Sequence, residues 1–187
     1  DGNREEKVNR VCQTLIEQID SLSSIANEFS DFAKMPRARY EEINLVDKLR
    51  NTISLFDNTA SSEIFLETGE YSEIPVYGDK EQLMRVFINL IKNAIQSVPD
   101  TRKGEIRITL QKPDDETALV SISDNGKGIP EEIRDKLFRP NFTTKSSGMG
   151  MGLAITSNIV KAMGGTIWYE SVKGEGSIFY IKLPVSG

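Results

Sequence analysis

The sequence predicts an α+β protein, a two-layer α/β sandwich preceded by one long α-helix. Three observations carry this prediction. An apolar stripe at seven-residue spacing runs from about residue 5 to residue 35 without Gly or Pro. Two pairs of alternating apolar and polar segments, 105–112 with 119–124 and 166–171 with 177–183, are joined by short turn-like connections. Helical patterns with capping residues occur between them, at 45–58, 82–98 and 151–163. A helix followed by helices mixed with hairpins is the order that a two-layer sandwich requires.

In the first helix, Val8, Leu15, Leu22 and Phe29 recur every seven residues. Val11, Ile25 and Phe32 fall on a second series with Gln18 at its polar place, and Cys12, Ile19, Ala26 and Ala33 form a third line. One helix cannot bury so broad a stripe alone, so a bundle or dimer is expected, with a core helix of one domain as the other reading. Pro36 stops the pattern, and the polar residues 37–43 read as a linker. Asn44 offers an N-cap side chain to a helix at 45–58, whose Leu45, Leu49, Ile53 and Phe56 share a face. Residues 62–68 read as a short strand. Asp79-x-x-Gln82 is a second capping signal, ahead of a helix that Pro99-Asp100 stops.

Beyond that helix, Ile106, Ile108 and Leu110 alternate with polar residues, as do Val120 and Ile122, which predicts an antiparallel hairpin. Residues 125–150 are rich in Gly, Lys, Ser and Thr, with a short helix from Pro130. The helix 151–163 ends at Gly164-Gly165, and two last strands meet at 172–176, where Gly174-Glu175-Gly176 is a tight turn.

Composition narrows the function. Of 187 residues, 38% are hydrophobic and 27% charged, with a net charge of −5. That suits one domain of ordinary size with an appended helix and argues against general nucleic-acid binding. The longest apolar stretches fall far short of the roughly 20 residues of a bilayer span, and no signal peptide opens the chain. Cys12 is the single cysteine, so no intrachain disulfide or Cys-based metal site is expected. There is no histidine. That removes Ser-His-Asp chemistry, His general bases and His-ligated metals, and any histidine acted upon must lie elsewhere.

Two glycine-containing segments and one helix face point to a ligand. Asp124-Asn125-Gly126-Lys127-Gly128-Ile129-Pro130 puts a carboxylate at a strand end before two glycines. This suits a hydrogen-bond acceptor over which backbone closes, and it equally suits a plain turn with a solvated Asp. Gly148-Met149-Gly150-Met151-Gly152-Leu153 opens a helix, with Thr143, Thr144 and Lys145 just before it. Backbone N–H groups, hydroxyls and an ammonium there suit polyphosphate oxygens. The Rossmann fingerprint fails because Leu153 stands where a third glycine is needed, and no P-loop spacing occurs. On the helix 82–98, Asn89 and Asn93 are four apart and share a face with Arg85 and Gln96. Amides inside an apolar helix need partners: ligand oxygens and Mg²⁺ serve, and so do local backbone and water.

Together these segments resemble the ATP-binding domain of sensor histidine kinases, in the wider GHKL superfamily with gyrase, Hsp90 and MutL. Asn89-Leu90-Ile91-Lys92-Asn93-Ala94 is similar to the N box and Asp124–Ile129 to the G1 box. Phe138-Arg139-Pro140-Asn141-Phe142-Thr143-Thr144-Lys145 is similar to the F box, and Gly148–Leu153 to the G2 box. No single box is specific; four in order are. The resemblance covers about residues 44 to 185. It implies a Bergerat fold, in which a mixed, mostly antiparallel sheet packs on helices. The segment Ile25–Pro36 resembles the end of the second helix of a dimerisation and phosphotransfer hairpin. Its wording, Glu-Phe-Ser-Asp-Phe-Ala-Lys-Met-Pro, most resembles nitrogen-regulation-type sensor kinases. The implied division is 1–36 as part of that hairpin, 37–43 as linker and 44–187 as catalytic domain.

The resemblance implies ATP and Mg²⁺ as ligands. Asp124 would accept from the adenine amino group, with Gly126, Gly128 and Ile129 closing on the base. Asn89 would hold Mg²⁺ and Asn93 would contact phosphate, with Arg85 and Gln96 as neighbours. Thr143, Thr144 and Lys145 would meet the phosphate tail under a lid of Gly148, Gly150, Met151, Gly152 and Leu153. Thr166 would make a water-mediated adenine contact. The implied protein is a two-component sensor that phosphorylates a histidine absent from this chain, dimerises through the hairpin and passes the phosphoryl group to a response-regulator Asp. The piece seen here is expected to be cytoplasmic, in a protein anchored in the inner membrane. Asn89 stands where the superfamily's ATPases carry a Glu, which implies slow hydrolysis. Asn141 replaces a usual aromatic of the F box. The other readings are a GHKL-type ATPase and a nucleotide-binding interaction module without kinase activity.

Overall fold

The computed structural model describes residues 2–33, 38–57, 61–143 and 150–186. Helix α1 spans Gly2–Ala33. Its Val8, Val11, Leu15, Ile16, Ile19 and Leu22 are each more than half exposed, so the stripe expected to need a partner is uncovered along these positions.

Strand β1, Tyr40–Asn44, pairs antiparallel with β3, Pro75–Asp79. Helix α2, Leu45–Ile53, and a 3-10 turn at Ser54–Phe56 follow β1. Strand β2, Ser62–Glu67, comes next in the chain and joins the larger sheet. The linker expected at 37–43 therefore gives up Tyr40–Ile43 to a strand. Only Ile43 of that stretch is buried, so its sequence shows no alternation to read. The strand β3 was not expected either: Pro75 and Gly78 interrupt a segment of five.

Helix α3, Lys80–Ser97, begins where the Asp79 carboxylate accepts the Glu81 and Gln82 N–H groups, both at 2.9 Å. The same carboxylate accepts the Arg39 N–H at 2.7 Å, which ties the segment before β1 to the start of α3. Strands β4, Gly104–Asp114, and β5, Thr117–Asp124, form the expected hairpin. A 3-10 helix at Glu131–Lys136 follows Pro130. Helix α4, Gly152–Ala162, leads to the second hairpin, β6, Thr166–Val172, with β7, Gly176–Pro184.

The sheet runs β2-β4-β5-β7-β6; β2 is parallel to β4 and the other pairs are antiparallel. Its inner face carries Ile106, Ile108, Leu110, Val120, Ile122, Phe179, Ile181 and Leu183. Against it pack Leu45, Val46 and Leu49 of α2, Leu83, Val86, Phe87, Leu90 and Ile91 of α3, and Ile155, Ile159 and Val160 of α4. This single core is the two-layer sandwich that the sequence predicts. No described helix is long and apolar enough to cross a membrane.

Asp79 anchors two elements with three backbone donors. Burial opposes its charge, yet the N–H groups of Gln82, Arg39 and Glu81 hold its carboxyl below the ordinary aspartate value. Replacing it by Ala should lower stability by about 1–2 kcal/mol in urea denaturation. A depressed folded pKa stabilises above the ordinary aspartate range and is lost as pH falls through the folded value. The gap between the native chain and Asp79→Ala should therefore close on acidification, and a gap constant down to strongly acid pH would refute this assignment.

Candidate functional site

Period-two alternation in β5 puts Val120, Ile122 and Asp124 on the face that meets the helices. The strand therefore ends by delivering a carboxylate to the core, where Asp124 is only 9% exposed. Its surroundings are built from several elements. The Ser97 hydroxyl, at the last residue of α3, lies 2.7 Å from Asp124 Oδ1, and the Gly126 N–H donates to the same oxygen at 2.8 Å. From β7, the Ser177 N–H also reaches the carboxylate. Burial pushes the Asp124 carboxyl up from its ordinary value, against these hydrogen bonds and the Arg102 charge, which pull it down. An ionised carboxylate offers about four acceptor positions, so three donors leave capacity for one more.

The loop after Asp124 is held on both sides. The Lys127 N–H donates to the Ser97 carbonyl at 3.0 Å, and the Arg102 guanidinium donates to the Gly126 carbonyl at 2.7 Å. The Gly174 N–H donates to Lys127 at 2.8 Å, and the Ile129 N–H to Ser171 Oγ at 2.8 Å. At Gly126 a Cβ would run into Ser97 Oγ and stand 2.6 Å from Asp124 Oδ1, so only glycine permits this approach of loop to carboxylate.

The second half of the site lies toward the other end of α3. Arg85, Asn89, Asn93 and Ser97 recur every four residues and share a face. The Asn89 amide donates to Thr156 Oγ1 of α4 at 2.9 Å. A Cβ at Gly152 would collide with Asn89 Oδ1, so the missing side chain lets the first turn of α4 settle on the asparagine. Gly150 has φ +66° beside the Phe142 carbonyl, Met151 is buried and Leu153 packs against the core. Asn89 and Ser97 are eight residues apart on one helix, roughly 12 Å. The face thus joins a buried acceptor at one end to an amide and a helix N-terminus at the other.

The fold brings together Asp124, Gly126, Gly128 and Ile129 at the first end, and Asn89, Gly150, Met151, Gly152 and Leu153 at the second. Arg85 and Asn93 lie on the connecting helix face; Gln96 and Thr143 are exposed. Thr144, Lys145 and Gly148 lie outside the described residues. Thr166 is not brought in. It opens β6 opposite Lys182, whereas Asp124 pairs with Ser177, five residues back along β7 and roughly 16 Å away. The residues beside Asp124 at that end are Ser177 and Ser171, whose hydroxyls lie 3.0 Å apart. Sequence reasoning missed them because hairpin register decides which residues stand beside the carboxylate. It also missed Ser97, although four-residue spacing from Asn93 was there to read.

The model of the histidine kinase-, DNA gyrase B-, and HSP90-like ATPase family matches residues 78–187. The chain is 36% identical over 170 residues to sporulation kinase E of Bacillus subtilis (strain 168), an alignment covering 90% of this chain and 23% of that protein. It is 32% identical over 192 residues to the sensory histidine kinase/phosphatase NtrB of Azospirillum brasilense, covering 95% of this chain and 48% of that one. The crystal structure of histidine kinase ThkA in complex with response regulator protein TrrA matches with a TM-score of 0.76 at 28% identity, over 97% of this chain and 52% of that chain. The chain thus spans less than half the length of these two curated relatives. With a buried acceptor, an asparagine-bearing helix and a glycine-opened helix on one α+β frame, and a family model matched over more than half its length, the chain belongs to the histidine kinase-, DNA gyrase B- and HSP90-like ATPase family and carries its ATP-binding domain.

Proposed function

We propose that the chain is the catalytic, ATP-binding part of a two-component sensor histidine kinase. It would transfer the γ-phosphoryl group to a histidine on another segment or chain, for relay to a response-regulator Asp. The observation that carries the reading is the pairing of a buried, multiply held carboxylate with the Asn89–Gly152 junction on one face of α3. Residues 1–36 are read as part of the dimerisation and phosphotransfer hairpin and 44–187 as the catalytic domain. The uncovered stripe of α1 supports pairing with a second helix and dimerisation of the whole protein. The likeness to ThkA, whose structure holds a response regulator, supports the partner class. The Glu-Phe-Ser-Asp-Phe-Ala-Lys-Met-Pro wording favours the nitrogen-regulation type. Relatives named as a sporulation kinase and as NtrB are similar at comparable identity, so the likeness supports the kinase class more than that type. The whole sensor would be anchored in the membrane upstream of this cytoplasmic piece.

In this reading Asp124 accepts from the adenine amino group and Gly126 and Gly128 admit the base. Asn93, with Arg85 nearby, faces the phosphates, as do Thr144, Lys145 and Gly148 by their place in the sequence. Among the described residues no three Cys, Asp or Glu side chains converge on a metal site. That suits Mg²⁺, which takes one or two protein oxygens, waters and substrate phosphates. Asn89 would hold it through its amide oxygen, since Thr156 occupies the amide nitrogen. The ion would supply charge neutralisation to the phosphates. What the chain's own residues contribute is placement: α3 is a rigid ruler, and phosphoryl transfer depends chiefly on position and electrostatics. Asn89 is an amide and cannot take a proton from water, so hydrolysis by the chain should be slow.

Titration of Mg-ATP by calorimetry should give saturable binding, weakened about tenfold or more in Asp124→Asn, which turns an acceptor toward a donor. Undiminished binding by a folded variant would refute the acceptor role. Chelation of Mg²⁺ should weaken ATP binding to the native chain and leave Asn89→Ala nearly unmoved; equal sensitivity would remove Asn89 from the metal. Mixed with a separately made hairpin bearing its histidine, the chain should form acid-labile phosphate, while its own ATP turnover stays slow. Rapid turnover without transfer would favour the ATPase reading.

A further inference from the structure

We propose that Ser97 is a positioning residue for the base-recognising carboxylate. Its one hydroxyl hydrogen turns between the Ala94 carbonyl and Asp124 Oδ1, and the turn toward Asp124 sets that carboxylate to accept a purine amino group. The inference rests on the reading of Asp124 as the acceptor for the base.

The geometry is a competition. Ser97 Oγ stands 2.7 Å from the Ala94 carbonyl oxygen and 2.7 Å from Asp124 Oδ1. A carbonyl carries no hydrogen and neither does an ionised carboxylate, so both ask for the same proton. When Asp124 is ionised, the bond to its oxygen is charge-assisted and the stronger of the two, and the Ala94 carbonyl gives up the hydroxyl. When Asp124 carries a proton on Oδ1, that proton can donate to Ser97 Oγ and the hydroxyl returns to Ala94. The two arrangements differ in where one hydrogen points, and the charge on Asp124 chooses between them.

The side chain has no other freedom at this point. The Ser97 carbonyl is held by the Lys127 N–H at 3.0 Å, and Gly126 lies so close that a Cβ there would strike Ser97 Oγ. The oxygen is fixed and only its hydrogen moves. Around Asp124, α3 presents Ser97 and β7 the Ser177 N–H, and the Arg102 guanidinium faces it from the connection between α3 and β4. In β4 the paired residue is the apolar Ile106.

A ligand that donates an N–H to Asp124 favours the ionised arrangement. At acid pH, where the protonated arrangement is populated, binding releases the carboxyl proton to solvent and turns Ser97 toward Asp124. No covalent bond changes; one proton leaves and one hydroxyl rotates. Because burial already pushes the Asp124 carboxyl up, losing the Ser97 donor pushes it further. Affinity that needs the ionised form is then lost at a higher pH.

The test is calorimetric titration of ATP into the 187-residue chain from neutral pH down to the acid limit of folding, in two buffers of different ionisation enthalpy. The native chain should release a proton on binding once the falling pH protonates Asp124 in the free chain. Ser97→Ala should bind about tenfold more weakly at neutral pH, as expected for loss of a hydrogen bond to a charged group, with its acid limb moved to higher pH. Ser97→Cys, of similar shape but a weaker donor, should move the limb the same way by less. A merely structural Ser97 would lower the urea midpoint and leave the limb in place. Native affinity and an unmoved limb in both folded variants would overturn the proposal. A native chain that fails to bind ATP, or an Asp124→Asn variant that binds as well, would instead overturn the nucleotide reading on which it stands.

Discussion

The structure depends on holding a charged group where water scarcely reaches. Asp124 ends a strand whose other inward residues are Val120 and Ile122, so continuing the strand's own alternation drives a carboxylate into the core. An isolated buried carboxylate would lose its charge or unfold the site. Here donors from α3, the loop after β5 and β7 converge on it, with Arg102 one shell out. Each donor fixes an element. Ser97 fixes the end of α3, Gly126 the turn of the loop, and Ser177 the register of β7. The carboxylate thus acts as an assembly point before it acts on any ligand.

The rest of the site follows from α3. A helix repeats its face every three to four residues, so Arg85, Asn89, Asn93 and Ser97 line one side while Leu83, Val86, Phe87, Leu90, Ile91 and Ala94 fill the core on the others. The spacing between the Asp124 end and the Asn89 end is set by backbone geometry and cannot be altered by loop motion. Helix α4 meets this ruler through Thr156 on Asn89 and through the bare Cα of Gly152. Two helices on one face of a sheet are thereby locked at the point where phosphates would be received.

Much of this was legible in the sequence, for physical reasons that differ between elements. The long helix, α3 and the two hairpins carry strong periodicities, because each presents a continuous apolar face to a core or a partner. Asp124 and the glycines stood out because buried carboxylates and close backbone approaches need particular residues. The strands β1 and β3 were illegible: they form a two-stranded ribbon with a single inward residue, Ile43, in the first of them. Thr166 stands apart from Asp124 for a related reason. Whether a residue on β6 meets Asp124 depends on the β6–β7–β5 register, which pairs Ser171 with Ser177 and Ser177 with Asp124. A hydroxyl-bearing residue at the start of a strand says nothing about that register.

The ribbon that the sequence concealed ties the start of β1 to both α3 and α4. The Arg39 N–H reaches Asp79, the cap of α3, and the Tyr40 hydroxyl donates to the Ala162 carbonyl at the C-terminus of α4, 3.1 Å away. Consecutive residues thus grip the far ends of the two helices whose near faces meet at Asn89 and Thr156. The Tyr40 ring also packs, tilted by 37°, against Tyr77 of β3, with ring centroids 5.9 Å apart, which stiffens the ribbon at the same place. A displacement of residues 38–40 therefore cannot be absorbed in a slack tether. It must break the Arg39–Asp79 bond or the Tyr40 bond, or else carry α3 and α4 along together. Because the helices are joined to each other as well as to the ribbon, the second course keeps the Asn89–Gly152 junction intact.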